Sequence, residues 1–318
     1  SVLKPWFDNL LERTLQSAGD LRTWFKDRSE LEAVVAEDFA WRYINMTRFT
    51  ENEDYSKSYQ YFVENIQPQI APISDQLNRK AEASVFLAEL EKETGYDIMI
   101  RNLRKEIELF REVNIPLFTE ISLEQQKYNQ LSGAMMVKLE GKELTLQQAA
   151  VRLMSTDRAE REQVYRKITD RRLQDKETLD KLFTKLIHLR HQIAVNAGFS
   201  NFRDYMFTAM GRFDYTPQDC FNFHDSIASE VVPMLNDLTR ERKESLGVAS
   251  LKPWDKIVDP EGRDPLKAFN DGNDLTGKTI ECFHRINTYL GQCLAIMKEM
   301  GHLDLESRKG KAPGGYNY

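Results

Sequence analysis

The chain has 318 residues, 44 Lys and Arg against 50 Asp and Glu, a net charge of -6 and a mean hydropathy of -0.57. That is enough material for one large domain or two ordinary ones. It offers neither the long uncharged apolar run of a membrane span nor the basic excess usual in nucleic-acid binding, so neither a membrane nor a nucleic acid is expected as a partner.

The 15 glycines and 10 prolines make up about 8% of the residues against roughly 12% on average, which argues for long helices over an all-β or disordered chain. Three cysteines, Cys220, Cys282 and Cys293, are too few and too odd in number for a disulfide framework, so a reducing, cytoplasmic setting is expected. The opening residues Ser1 to Trp6 show no basic region followed by an apolar one, so no signal peptide is expected.

Between Leu21 and Leu109 apolar residues recur at helical spacing, as in Leu31, Val34, Val35 and Phe39 and again in Phe86, Leu87 and Leu90. Pro68, Pro72 and Pro116 are expected to punctuate that stretch, because proline cannot donate the helix hydrogen bond. Glu, Lys and Arg fill the other faces, and no heptad is sustained, which argues for a helical bundle over a coiled coil. Met135 to Leu146 is the best hairpin candidate, with Gly141 in the turn.

Helices resume from Gln147, and Leu182, Phe183, Leu186, Ile187 and Ile193 form one apolar stripe of a helix that Gly198 stops. Thr216 followed by Pro217 and Asp219 reads as a capped helix start, and Pro233 should kink or end that helix. Ile280, Phe283, Leu290, Leu294 and Met297 make one apolar face of a further helix and Ile286, Tyr289, Ile296 and Met300 a second, which predicts a buried helix capped by Gly301. Nine of the glycines and four of the prolines fall between positions 247 and 318, so the chain becomes rich in loops there.

Three motifs resemble chemistry. Gly272 to Thr279 fits the phosphate-cradling pattern G-x-x-x-x-G-K-[ST], with Lys278 for phosphates and Thr279 for Mg²⁺. The preceding segment Asp264 to Asp271 carries a proline, a lysine and two aspartates and no β-branched run, so the strand such a loop requires is missing, and Thr276 reads as a helix N-cap. His188 and His191 stand one turn apart, but Lys185 and Arg190 flank them and no acid lies within four residues, which disfavours a cation between them. Lys298-Glu299-Met300-Gly301-His302 falls short of the zinc helix H-E-x-x-H, since a lysine ammonium is not a ligand and Gly301 ends the helix. No residue of the chain is assigned as catalytic or as a metal ligand.

The succession Arg190 to Phe199, Asn201 to Tyr205 and Met210 to Thr216 is followed by Leu251 to Asp255 and by Leu303-Asp304-Leu305-Glu306-Ser307-Arg308-Lys309-Gly310-Lys311-Ala312-Pro313-Gly314-Gly315-Tyr316. It resembles the oligoendopeptidase F branch of the thimet-oligopeptidase-like zinc metallopeptidases, and the likeness covers at least Leu117 to Tyr318. The resemblance implies a mainly all-α, multi-helix, two-lobed architecture with a small β-hairpin and a short Gly-rich edge strand near the C-terminus. It implies hydrolysis of short peptides in a deep channel by a zinc-bound water.

In that branch H-E-x-x-H follows the Gly-Gly-Tyr strand, so the chain is expected to be an N-terminal portion that lacks the zinc ligands and is inactive alone. The alternative is a non-catalytic helical peptide-binding or scaffolding protein derived from such a peptidase. The expected segments are an N-terminal helical region over 1–116, a helical segment with the hairpin over 117–200, and over 201–318 the start of the catalytic domain, ending before the zinc motif. The one site carried over is Gly314, Gly315 and Tyr316, where an extended peptide would pair with the strand edge.

Overall fold

In a computed structural model, residues 2–318 are described; Ser1, the first residue of the stretch read for a leader, lies outside them. In chain order the helices begin with α1 (Lys4–Glu12), α2 (Ala18–Arg48), α3 (Glu53–Tyr61), α4 (Gln67–Glu82), α5 (Leu87–Leu90), α6 (Tyr96–Leu109) and α7 (Ile115–Gly133). Two strands follow, β1 (Met136–Leu139) and β2 (Lys142–Thr145). Then come α8 (Leu146–Ala150), α9 (Arg158–Gln174), α10 (Lys176–Asn196), α11 (Phe202–Ala209), α12 (Pro217–Ser226), α13 (Val232–Ser245), α14 (Gly272–Ile286) and α15 (Thr288–Glu299). The expected mainly helical class is what the structure shows.

The chain forms two compact units, one of Ser1–Gly133, Lys176–Val232 and Gly314–Tyr318, the other of Ala134–Asp175 and Pro233–Pro313. Each unit is thus built from separate stretches, whereas the segments read from the sequence are contiguous.

In the first unit, Ser17 opens α2 by accepting a hydrogen bond from the Asp20 N–H. The core gathers Leu21 and Trp24 of α2, Leu77 of α4, Leu90 of α5 and Ile100 of α6, all without solvent exposure. The Trp24 indole N–H donates to the Leu10 carbonyl at 2.9 Å, so the ring is buried with its polar atom satisfied. The Lys80 ammonium of α4 donates to the carbonyls of Leu10, Leu11 and Arg13, closing the carboxyl end of α1.

Pro116 falls at the start of α7, whereas Pro72 does not interrupt its helix. Pro68 sits in the first turn of α4, where no N–H is needed, and Pro72 lies inside the same helix. A π-helical stretch, Phe62–Ile66, joins α3 to α4, and a second, Ile227–Val231, carries α12 into α13 just ahead of Pro233. The wider turn reroutes backbone hydrogen bonds beside a proline, so the chain stays helical through Pro233.

In the second unit β1 and β2 pair antiparallel with Met136 opposite Thr145 and Leu139 opposite Lys142. Glu140 and Gly141 both take positive φ, 48° and 81°, the mirror-image turn that a two-residue hairpin requires. Thr145 then caps α8 through a reciprocal pair with Gln148. β1, α8 and the turn at 253–255 pack on α9. There the fully buried Asp255 accepts from Arg161 at 2.9 Å and Arg158 at 2.8 Å.

Two expectations are corrected. The buried helix over 280–300 is in fact two helices: Asn287 leaves helical geometry at φ -159° and its side chain accepts from the Tyr289 N–H to start α15. Neither face is buried: Ile286 is 71% and Tyr289 68% exposed, and Phe283, Leu290 and Met297 of the first face are exposed as well. The Gly-rich edge strand is not formed either. Among the described residues β1 and β2 are the only strands, and residues 302–318 hold turns and irregular backbone, because no second strand supplies ladder partners there. No described helix is long and apolar enough to cross a membrane.

Candidate peptide-binding site

The 31-residue α2 places Phe39, Tyr43, Met46 and Thr47 on one face by helical spacing. Tyr59 of α3 and Phe62 close on them: Phe39 lies 5.1 Å from Phe62 and 5.9 Å from Tyr59, centroid to centroid, and Tyr43 lies 6.1 Å from Tyr59. Burial pushes the Tyr59 hydroxyl up to about 12 and raises that of Tyr43, so both remain neutral donors at physiological pH.

The residues that end the chain lie against this aromatic face. The Tyr316 hydroxyl is 2.6 Å from the Thr47 hydroxyl, and its ring is 5.7 Å from Tyr43; the Tyr318 ring is 5.4 Å from Tyr43. Tyr316 is thereby anchored through its side chain. Gly314 and Gly315 stand open: a Cβ built on either meets no atom within 4 Å, and Gly314 holds φ +106°, which favours glycine. The three residues named from the sequence are therefore together, in irregular backbone and without a strand partner.

Tyr43 also walls a groove of about 610 Å³ within the same unit. Its opposite wall is α10, whose Leu179, Leu182, Phe183, Leu186 and Arg190 recur on one face. Its floor is set by α7 with Gln125, Gln126 and Asn129. Gln126 is 2% exposed; its carbonyl oxygen accepts from the Gln60 amide at 3.0 Å, while its own Nε2 has no partner. Arg190 is half-buried, lies 6.0 Å from the Phe202 ring centroid, and makes no hydrogen bond or ion pair with the described residues.

The stripe read on α10 was half right as core: Leu182, Leu186 and Ile193 are buried, but Phe183 is 59% and Ile187 48% exposed. Sequence reasoning missed Gln126 and Arg190 as groove residues. The only signal was their place beside apolar positions, which solvated surface residues share.

The remaining motifs fall elsewhere. α14 begins at Gly272 with Asp271 as its N-cap, so Thr276 is not the cap but a buried interior residue donating to the Gly272 carbonyl. Lys278 is held by Asp274 and the Ala268 carbonyl, and the Gly272 N–H donates to Glu306, which leaves no cradle for phosphate. His188 and His191 are both exposed on α10, and the neighbouring Lys185 is neutralised by Glu120 and Glu124 at 2.7 Å each. Burial opposes ionisation of Glu124, but hydrogen bonds from Lys127 and Lys185 outweigh it and keep the carboxyl below its ordinary range. α15 stops at Glu299 and Gly301 takes φ +69°, so Lys298 to His302 is a helix end. Among the described residues no three His, Cys, Asp or Glu stand together as metal ligands.

Residues 1–110 match the sequence family described as Peptidase M3 N-terminal domain, and residues 151–268 match Peptidase family M3. No curated protein matches the chain. Among solved structures the fold is similar to that of PZ peptidase A with an inhibitor, at 24% identity and a TM-score of 0.92, covering 99% of this chain and 56% of that one. It is also similar to a chain assigned as oligoendopeptidase F, at 24% identity and a TM-score of 0.91, covering 98% and 55% respectively. A third, assigned as oligoendopeptidase F from Bacillus anthracis str. Ames, matches at 22% identity and a TM-score of 0.90, covering 99% of this chain and 58% of that one. The chain thus spans less than three-fifths of the length of each of these relatives.

Proposed function

Because the chain belongs to peptidase family M3, we propose that it is the N-terminal portion of a cytoplasmic, zinc-dependent oligoendopeptidase that hydrolyses short peptides. The observation that carries this reading is the match of two successive M3 segments, over 1–110 and 151–268, on a helical fold shared with oligoendopeptidase F structures. The part assigned to this chain is peptide holding. Open space at Gly314 and Gly315 admits an extended backbone, whose N–H and C=O groups those glycines can pair without reading side chains.

The described residues do not fit a zinc ion, since they bring together no set of ligands for one. This chain therefore holds no metal for the reaction, and the 318 residues alone are inactive. The cytoplasmic assignment is supported by three free cysteines.

The test is to dialyse the 318-residue chain against zinc, measure bound metal, and assay an internally quenched octapeptide for cleavage and for binding. Binding without cleavage and without stoichiometric zinc is expected. One zinc per chain with cleavage, or no peptide binding at all, overturns the reading.

A further inference from the structure

We propose that the groove between α7 and α10 is a binding site for the free C-terminal carboxylate of a short peptide with apolar residues, with Arg190 as the carboxylate's donor and Gln126 as a donor to a peptide carbonyl. The inference rests on the peptide-binding reading above and names the class of peptide and its orientation.

Three independent observations meet in this groove. Arg190 is the uncompensated charge of its lining: it has no acid within bonding distance, whereas the other charged lining residue, Asp180, is paired with Lys176 at 2.6 Å. Gln126 is almost fully buried, yet its Nε2 is unpartnered, and an unsatisfied buried amide is a cost that an incoming acceptor relieves. The rest of the wall is apolar or aromatic, with Tyr43, Met46, Leu182, Phe183 and Leu186.

A planar guanidinium and an amide N–H are both donors, so the groove selects an acceptor with negative charge, and its walls select an apolar body. Phosphate fits the charge but leaves the apolar wall uncovered. A peptide C-terminus supplies both parts.

The dimensions agree. Asp180 and Arg190 are ten residues apart on α10, which at the helical rise is about 15 Å. An extended peptide rises about 3.3 Å per residue, so the groove holds about four residues. With the carboxylate at Arg190, the amino end points toward Asp180, whose carboxylate tolerates an ammonium. The reverse orientation would set the ammonium against Arg190, the one lining charge that no acid answers. The groove therefore gives a peptide one direction.

The experiment titrates the 318-residue chain, by calorimetry, with the tetrapeptide Ala-Leu-Phe-Leu as the free acid and as its C-terminal amide. One charge-assisted pair at a half-buried site is expected to make the free acid bind about tenfold tighter. That preference should vanish in Arg190→Gln and persist largely in Arg190→Lys, whereas Gln126→Leu should weaken the acid and the amide alike. Circular dichroism establishes that each variant is folded, and the acid-to-amide ratio in the native chain is read independently of all of them.

Equal binding of acid and amide, or an unchanged preference in Arg190→Gln, overturns the carboxylate assignment while leaving peptide binding intact. Absence of binding by both forms overturns the peptide-holding reading and this inference together.

Discussion

Asp255→Ala is expected to destabilise the second unit by about 3–5 kcal/mol, the cost of leaving a buried partner charge unpaired. The Asp255 carboxylate has no solvent exposure and the Arg161 side chain is 3% exposed, so the stranded guanidinium would remain out of water. Arg158 is 43% exposed at its side chain and adds little, on the order of 0–1 kcal/mol. Arg161 would keep its bonds to the carbonyls of Ser155, Thr156 and Trp254, which favours the lower half of the range. For the same reason Arg161→Met/Asp255→Leu should recover only part of the loss, because those carbonyls lose their donor.

The pH dependence has a defined sign. Hydrogen bonding from Arg158 leads the causes, and together with the Lys252 N–H and Arg161 it holds the Asp255 carboxyl well below the ordinary carboxylate range against the opposing effect of burial. A carboxyl depressed by folding contributes in full above its unfolded value near 4, and the contribution drains away as the pH falls below that. Urea unfolding followed by tryptophan fluorescence from pH 7 to pH 3 should give the native chain a steeper acid loss than Asp255→Asn. A change under about 0.5 kcal/mol for Asp255→Ala at pH 7, or identical acid slopes, would refute the reasoning.

Three further outcomes are expected. Lys80→Met should lose about 1–3 kcal/mol in urea unfolding, since three carbonyls at the end of α1 lose their shared donor. Tyr316→Phe should cost about 0.5–1.5 kcal/mol and increase amide exchange over 314–318, because its hydroxyl bond to Thr47 is the polar anchor of that segment. Gly291→Ala should lower the thermal midpoint, as a Cβ there enters the imidazole of His284 where α15 meets α14; shortening that side chain in Gly291→Ala/His284→Ala should restore most of the loss.

What composition and local pattern determined was the helical class, the hairpin and several caps. Scarce glycine and proline leave the backbone free to hydrogen-bond within itself. Glu140-Gly141 between apolar runs permits the tight mirror-image turn, and Thr216 beside Pro217 and Asp219 starts α12 as a reciprocal capping pair. These are contacts within a few residues, and such contacts are written in the local order of side chains.

The family likeness was legible in the same way, from residues in succession. Pro72 and the single helix expected over 280–300 were misjudged, because a helix can hold a proline in its interior and one side-chain cap, at Asn287, can split an apolar run. The groove was decided only by tertiary structure. Tyr43, Gln126 and Arg190 are more than sixty residues apart from one to the next, and each taken alone has the look of an ordinary helix-surface residue. Their use as a site depends on α2, α7 and α10 meeting in one unit, on Asp180 being answered by Lys176, and on Arg190 and the Gln126 amide being left unanswered.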